Sequence, residues 1–171
     1  MKKIFKYIFA GMAAMSVVAC SEDALETSPS SSVSGNELLG TATNALVSLN
    51  GVYRAMYTAG VSNSSNTHQC FGITAYNLVA DVMGEDCIMN GQGSGWFWYD
   101  CVYNVKSRYT STGWRSYDMW NGYYTWISNV NYILAEEETM SGSETEKNYV
   151  LGQAYAVRAY SYFMLAQMFS R

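Results

Sequence analysis

An aromatic run near the middle of the chain contains residue types that bind sugars. Residues 96–99 are all aromatic, and an acid and an amide follow closely. Aromatic faces stack on the apolar face of a sugar ring while neighbouring polar groups bond its hydroxyls, and this binding requires no activated nucleophile. If the run is a strand, alternate rings face the core instead. The candidate ligand-binding residues are Trp96, Trp98, Tyr99, Asp100 and Asn104.

Catalytic residue types form no comparable pattern. Glycan hydrolysis requires two carboxyl groups about 5 to 10 Å apart, and nothing in the sequence marks two of its acids as such a pair. The single histidine, His68, lies in a polar stretch without a nucleophile motif and is interpreted as a surface residue. The acids at 136–138 are interpreted as a solvated helix end. We therefore predict that the protein is not an enzyme and uses no cofactor.

Three cysteines lie within the main part of the chain. Cys70, Cys87 and Cys101 are separated by 17 and 14 positions, which matches no zinc pattern, so no metal site is predicted. In a compartment that permits disulfides, an odd number of cysteines forms at most one bridge within the chain. The sequence leaves their pairing open.

The start of the chain has the three-part layout of a secretory signal. Three lysines precede an apolar run over residues 7–15, which is shorter than the roughly 20 residues that span a membrane. The following Val17-Val18-Ala19-Cys20 resembles the bacterial lipobox, in which the cysteine is acylated and becomes the new N-terminus. We predict that residues 1–19 are removed and that Cys20 is the lipid attachment site. The alternative is a secreted protein with a chance cysteine at this position.

The residues after Cys20 are interpreted as a flexible tether. Residues 20–34 are rich in Ser, Thr and acidic residues and contain the only proline of the chain. A diacylglyceryl group with an amide-linked acyl chain exceeds the two-chain threshold for stable membrane anchoring. Ser21-Glu22-Asp23 also resembles the acidic export signal of Bacteroidetes lipoproteins. The expected location is the outer membrane, with the protein anchored by lipid and facing the exterior.

Charge and composition limit the class of protein further. Removing the leader takes away three of the ten basic residues and none of the fourteen acids, so the formal charge changes from −4 to −7. Nucleic acid is therefore not expected as a partner. A hydrophobic content of 49% is enough to build a core, which excludes a disordered chain.

Apolar periodicity predicts two helices in the first half of the chain. A capping box at Ser34-x-x-Glu37 opens the first, whose apolar residues recur at three and four positions until about Gly60. A polar loop over residues 61–69 precedes a second, shorter helix from Ile73 that is closed by Gly84. Residues 86–112 lack a sustained period and predict a long, aromatic-rich excursion with room for one short hairpin.

Two longer helices are predicted in the second half. The third runs from Trp114 to about Glu138, and the fourth opens at the capping box Ser143-x-x-Glu146 and continues to the end. Because only a short loop separates them, they are expected to form an antiparallel hairpin of the kind found in tetratricopeptide arrays. The predicted fold class is all-α, with tetratricopeptide-like helical hairpins built from about four main helices.

Two segments resemble the N-terminal region of the SusD/RagB family. Residues 120–131 fill the pattern W-x3-Y-x2-I-x2-[AV]-N, and residues 152–165 fill G-x-A-x3-R-A-x2-Y-F-x-L. Residues 49–53 also resemble the family's first helix. The lipobox and these three segments occur in the same order as in the family, and they are distributed over nearly the whole chain. Family members are longer, so residues 35–171 are expected to be a SusD-like helical domain that is incomplete at its C-terminus.

The resemblance implies a function that agrees with the residue types. It implies a non-catalytic outer-membrane lipoprotein that binds a glycan or peptide and delivers it to a SusC-like TonB-dependent transporter. A lipid-anchored glycan-degrading enzyme and a helical scaffold for protein contacts are the alternatives. Arg158 is expected to bond a neighbouring helix, and Asn131 is expected to tie its own helix to an adjacent backbone, rather than bind ligand. Tyr155, Tyr162 and Phe163 are expected to be left partly uncovered. The sequence leaves open which ligand is bound and whether these residues bind it without further chain.

Overall fold

Helices form the regular structure of the part of the chain that the structure describes. A computed structural model describes residues 38–84, 87–102 and 109–170, so the predicted signal, tether and first capping box lie outside it. These ranges contain no β-strand, which confirms the all-α prediction. The elements are α1 (Ala42–Ala55), a 3₁₀ turn (Ser64–Asn66), α2 (Ile73–Met83), α3 (Trp98–Cys101), α4 (Trp114–Ala135) and α5 (Glu144–Phe169).

The first predicted helix is interrupted just before α1. Thr41 is extended, and its hydroxyl accepts a hydrogen bond from the Asn44 N–H at 3.1 Å, so the helix proper begins at Ala42. The backbone on both sides of Thr41 bonds Ser141, with Ala42 N–H to Ser141 O and Ser141 N–H to Gly40 O both at 2.9 Å. These bonds take the backbone groups that a continuous helix would use, so the predicted unbroken helix through residues 40 and 41 was wrong, while its predicted start lies outside the described residues.

The end of α1 also differs from the prediction, while α2 agrees with it. Helix α1 stops at Ala55 rather than near Gly60, because the Met56 carbonyl accepts the N–H of Ile73 at 2.8 Å. This hydrogen bond brings Gly72 against the backbone of Met56, so that a Cβ on residue 72 would lie 1.9 Å from Met56 O. Gly72 also has a φ of +69°. Only glycine meets both conditions. Helix α2 then spans Ile73–Met83 with Gly84 as its C-cap, as predicted.

Helices α4 and α5 form the predicted antiparallel hairpin. Tyr155 donates a hydrogen bond to Glu137 at 2.7 Å near the connecting loop, and Phe169 packs edge-on against Trp120 at 5.2 Å near the open end. As the residue numbers of the contacts increase along α5, those of their partners decrease toward the start of α4. The two helices therefore run antiparallel. No helix in the described ranges combines the length and the hydropathy that crossing a membrane requires.

The loop between α4 and α5 begins earlier than predicted and ends at the predicted capping box. Ser143 accepts from the Glu146 N–H at 3.3 Å while the Glu146 carboxylate accepts from the Ser143 N–H at 2.9 Å, which confirms the second capping box. Helix α4 ends at Ala135, a few residues before the predicted Glu138, and a series of turns follows. The start of α5, which has a local capping motif, was therefore predicted more accurately than the end of α4, which has none.

Aromatic and aliphatic side chains from α1, α2, α4 and α5 build one core. Tyr123 and Trp126 of α4 are fully buried and meet edge to face at 5.0 Å, and Tyr76 of α2 lies 5.4 Å from Tyr123. Gly122 allows this approach, because a Cβ there would lie 2.2 Å from the Tyr76 hydroxyl oxygen. Other members of this core include Leu49, Val79, Val130, Ile133, Val150 and Ala154.

Candidate functional site

The aromatic run forms a tight turn and one turn of helix rather than a strand. Phe97 has a left-handed φ of 57° and precedes α3, and no hairpin occurs in residues 87–102 or 109–112. The turn sends Phe97 into the core and leaves Trp96 50% exposed and Tyr99 43% exposed. The alternate burial expected for a strand does not occur, because helical geometry sets which rings are covered.

Two polar side chains hold this turn against the loop that precedes α2. The Gln69 carboxamide oxygen accepts a hydrogen bond from the Phe97 N–H at 2.8 Å. His68 stacks on Trp96, with ring centroids 4.9 Å apart and planes 29° apart. The exposed tryptophan is therefore held in place by the neighbouring loop, and His68, a surface residue as predicted, contributes to the aromatic surface.

Asp100 is an internal residue. It is 3% exposed, and its carboxylate accepts from Arg115 Nη2 at 2.8 Å, from Arg115 Nε at 3.2 Å and from the Tyr109 hydroxyl. Burial, together with the bond to Asp100, raises the pKa of Tyr109, so the phenol remains a donor. This geometry explains why the acid beside the aromatic run does not face the solvent with Trp96 and Tyr99.

Of the other predicted site residues, one lies within the described ranges and two lie outside them. Trp98, in the first turn of α3, is half-buried. Asn104 and the predicted lipid site Cys20 lie outside the described residues. The structure thus brings Trp96 and Tyr99 to the surface of one turn and directs Asp100 away from it.

Arg115 is the centre of the buried polar cluster behind the turn. Its guanidinium lies over the Trp114 ring at 4.3 Å and the Phe97 ring at 5.1 Å and also donates to the Gln69 carbonyl at 2.8 Å. A second acid, Asp118, is fully buried and lies 3.8 Å from Arg115 Nη1. The sequence did not identify Arg115, His68 or Gln69 as supports of the site, because no local motif links residues this far apart in the chain.

Cys70 is a buried thiol close to the polar cluster. Cys70 is buried and free, and burial raises the pKa of its thiol to about 12, so it stays protonated and unreactive at neutral pH. Cys87 and Cys101 are also free. Among the described residues, no group of three or more His, Cys, Asp or Glu side chains could hold a metal ion.

Of two residues in the family-like segments, Arg158 has the helix-joining role predicted for it, while Asn131 bonds a different kind of group. Arg158 Nη1 donates to the Asn131 carboxamide oxygen at 3.1 Å, which joins α5 to α4. Asn131 was expected to bond a backbone group, but its observed partner is this side chain. The Arg158 guanidinium also lies 5.0 Å from the Tyr155 ring centroid.

Comparison with known proteins identifies a match over most of the chain. A family model named SusD-like and described as starch-binding and associating with the outer membrane matches residues 25–171. No curated protein and no solved structure gives a significant match. The matched range includes the aromatic turn and all of the helices described above.

Proposed function

This chain belongs to the SusD-like family of starch-binding proteins that associate with the outer membrane, and from that premise we propose that it captures an oligosaccharide for a SusC-like TonB-dependent transporter. In this proposal the protein is a lipoprotein anchored through Cys20, faces the exterior and catalyses no reaction. The family match over residues 25–171 is the observation that carries the proposal. A peptide could stack on the same rings, but the family description favours a glycan.

Trp96 and Tyr99 are the proposed ligand contacts. Both rings are substantially exposed on one tight turn, and the stack with His68 restricts the motion of Trp96. A ring that is held before the ligand arrives loses less conformational freedom on binding, which favours affinity. Asp100 supports this surface indirectly, since its bonds to Arg115 anchor the first turn of α3.

Replacing Trp96 tests the ligand contact. In titrations with maltoheptaose, Trp96→Ala should weaken binding at least fivefold, which corresponds to about 1 kcal/mol for one lost stacking ring. Trp120→Ala is the matched control, because Trp120 is 46% exposed but lies on the α4/α5 hairpin. Equal affinities for the two variants would contradict the assignment of Trp96.

A turnover assay separates binding from catalysis. Incubation of the protein with starch and with maltoheptaose should release no new reducing ends above a blank without protein. Measurable turnover by the purified protein would instead support the lipid-anchored enzyme. If neither turnover nor sugar binding occurs, the scaffold for protein contacts becomes the better account.

The anchor is tested by removing its thiol. Cys20→Ala should abolish the lipid adduct seen by mass spectrometry of the membrane fraction, because the thiol is the acyl acceptor. Cys87→Ala removes another cysteine that is free and exposed, and it should leave the adduct unchanged. A lipid adduct that persists in Cys20→Ala would refute the anchor assignment.

The transporter partnership is tested by copurification. An affinity-tagged chain expressed in a host that encodes a neighbouring SusC-like barrel should copurify with that barrel from detergent-solubilised outer membranes. Recovery of the barrel with an unrelated tagged outer-membrane lipoprotein would show that the association is not specific.

A further inference from the structure

A polar cleft of about 340 Å³ lies between the loop before α2 and one face of α4. Residues 60–65 form one wall, and Tyr117 and Asn121 form the other. Trp96 and Tyr99 are not among its lining residues. A volume of this size falls within the range of roughly 300 to 1,000 Å³ that is usual for small-molecule sites.

The cleft walls are held by hydrogen bonds within the chain. The loop closes at its base through the Gly60 N–H and the Cys70 carbonyl at 2.8 Å. The Asn121 carboxamide donates to the Ser62 carbonyl at 2.7 Å, and the Ser62 hydroxyl donates to the buried Asp118. These bonds join the two walls directly, so the shape of the cleft does not depend on a ligand to form it.

The lining has the chemistry of a neutral sugar site. Among the described residues that line the cleft, none carries a charge, and most are serine or asparagine. Tyr117, which is 55% exposed, lies one helical turn before Asn121 and therefore on the same face of α4. An aromatic ring beside hydroxyl and amide groups matches the apolar face and the hydroxyls of a sugar ring.

From this combination we infer that the cleft is a second carbohydrate subsite, which takes a neutral sugar residue stacked on Tyr117. The inference rests on the proposed function, since it assigns a further contact to the same oligosaccharide ligand. A phosphate or an acidic sugar would find no positive side chain among the described lining residues. Asp118 is fully buried behind Ser62 and does not offer its charge to the cleft.

The same loop borders both proposed contact surfaces. Residues 60–65 line the cleft, and His68 of the same loop stacks on Trp96. The loop between α1 and α2 is therefore expected to determine how an oligosaccharide is positioned, although the sequence alone indicated only a polar connection.

The test is an NMR titration of the detergent-solubilised full chain with maltotriose. The sugar should shift the amide signals of residues 62–65 and the side-chain amide of Asn121, and these shifts should persist in Trp96→Ala. Tyr117→Ala should weaken binding at this subsite about fivefold, as expected when one stacking ring is lost. Tyr132→Ala, on the same helix and 67% exposed, is the matched control and should bind as the unmodified chain does.

Several outcomes would overturn the inference. Shifts confined to residues 96–99, or equal affinities of Tyr117→Ala and Tyr132→Ala, would reject the subsite while leaving the proposed function in place. No shift anywhere at millimolar maltotriose would reject both. Trigalacturonic acid should leave residues 62–65 unshifted, and a stronger effect than that of maltotriose would reject the assignment to a neutral sugar.

Discussion

At the scale of single residues, Arg115 holds together groups that come from three parts of the chain. Its guanidinium bonds Asp100 of α3 and the Gln69 carbonyl of the loop, and it lies 3.8 Å from Asp118 of its own helix. One buried positive charge therefore faces two buried carboxylates. A charge in the interior is tolerated when it is paired and bonded, and it destabilises the fold when its partner is removed.

Replacing Arg115 should therefore be costly. Arg115→Ala leaves Asp100 and Asp118 buried without a countercharge, and it should reduce the free energy of unfolding by about 3 to 5 kcal/mol. Urea denaturation followed by circular dichroism measures this change. Arg54→Ala, an exposed substitution in the last turn of α1, should change it by less than about 0.5 kcal/mol. Similar losses in both variants would contradict the structural role of Arg115.

Asp118 should make stability depend on pH. Burial raises its pKa, and the bond from Ser62 and the proximity of Arg115 only partly oppose this effect. Because the folded pKa lies above the unfolded value of about 3.9, the folded state binds the proton more tightly. This contribution to stability is present at low pH and is lost as the pH rises from about 4 toward the folded pKa.

The experiment compares Asp118→Asn with the unmodified chain in urea at pH 4, 5, 6 and 7. The free energy of unfolding of the unmodified chain, relative to Asp118→Asn, should fall with rising pH by at most about 1.4 kcal/mol per unit. Asp81→Asn removes an exposed carboxylate from α2 and is the control. A relative stability that rises with pH would show that the pKa of Asp118 is lowered instead.

At the scale of elements, the contact between the Tyr76 side chain of α2 and helix α4 depends on a glycine. A Cβ at Gly122 would lie 2.2 Å from the Tyr76 hydroxyl oxygen, and Tyr76 is fully buried and donates to the Asp118 carbonyl at 3.0 Å. Burial and this hydrogen bond hold the Tyr76 ring in place. A methyl group at residue 122 would force the Tyr76 ring to shift and lose this bond, or the two helices to separate.

A matched pair of substitutions tests this contact. Gly122→Ala should lower the free energy of unfolding by about 1 to 3 kcal/mol through overpacking. Gly152→Ala, in the interior of α5, places a methyl with nothing within 4 Å and should raise it by about 0.5 to 1 kcal/mol, since alanine is the better helix former. Thermal or urea unfolding measures both, and a stabilising Gly122→Ala would mean that the helices are less closely packed.

At the scale of the whole molecule, the α4/α5 hairpin has an exposed aromatic face. The sequence predicted that Tyr155, Tyr162 and Phe163 would be partly uncovered, and they are 42%, 48% and 58% exposed. Tyr162 continues through ring contacts to Tyr124 at 6.4 Å and from there to Trp120 at 4.6 Å. Contiguous exposed apolar surface of this kind promotes association between molecules.

Charging this face should reduce self-association. The double variant Tyr162→Glu with Phe163→Glu should lower the mean mass measured by light scattering at high concentration, while unfolding free energy changes by less than about 1 kcal/mol. Tyr57→Glu with Tyr132→Glu adds the same charge at two other exposed aromatics and is the control. Equal effects of the two double variants would indicate that net charge, and not this face, controls association.

The sequence by itself determined the elements whose signals are local. The periodicity and flanking glycine of α2 and the capping box of α5 predicted Ile73–Met83 and the start at Ser143 correctly, because helix caps and amphipathic faces arise from residues three or four positions apart. The family-like segments in α4 and α5 likewise identified the family that the match over residues 25–171 confirms.

Only the tertiary structure decided features that depend on residues distant in sequence. Ser141 interrupts the first helix at Thr41, and Arg115 draws Asp100 inward while Trp96 stays at the surface. The two walls of the polar cleft likewise meet through bonds across the fold, from Asn121 to Ser62 and from Ser62 to Asp118. The physical reason is that a buried charge or backbone group must find a partner, and that partner is set by how the helices pack rather than by neighbouring residues in the chain.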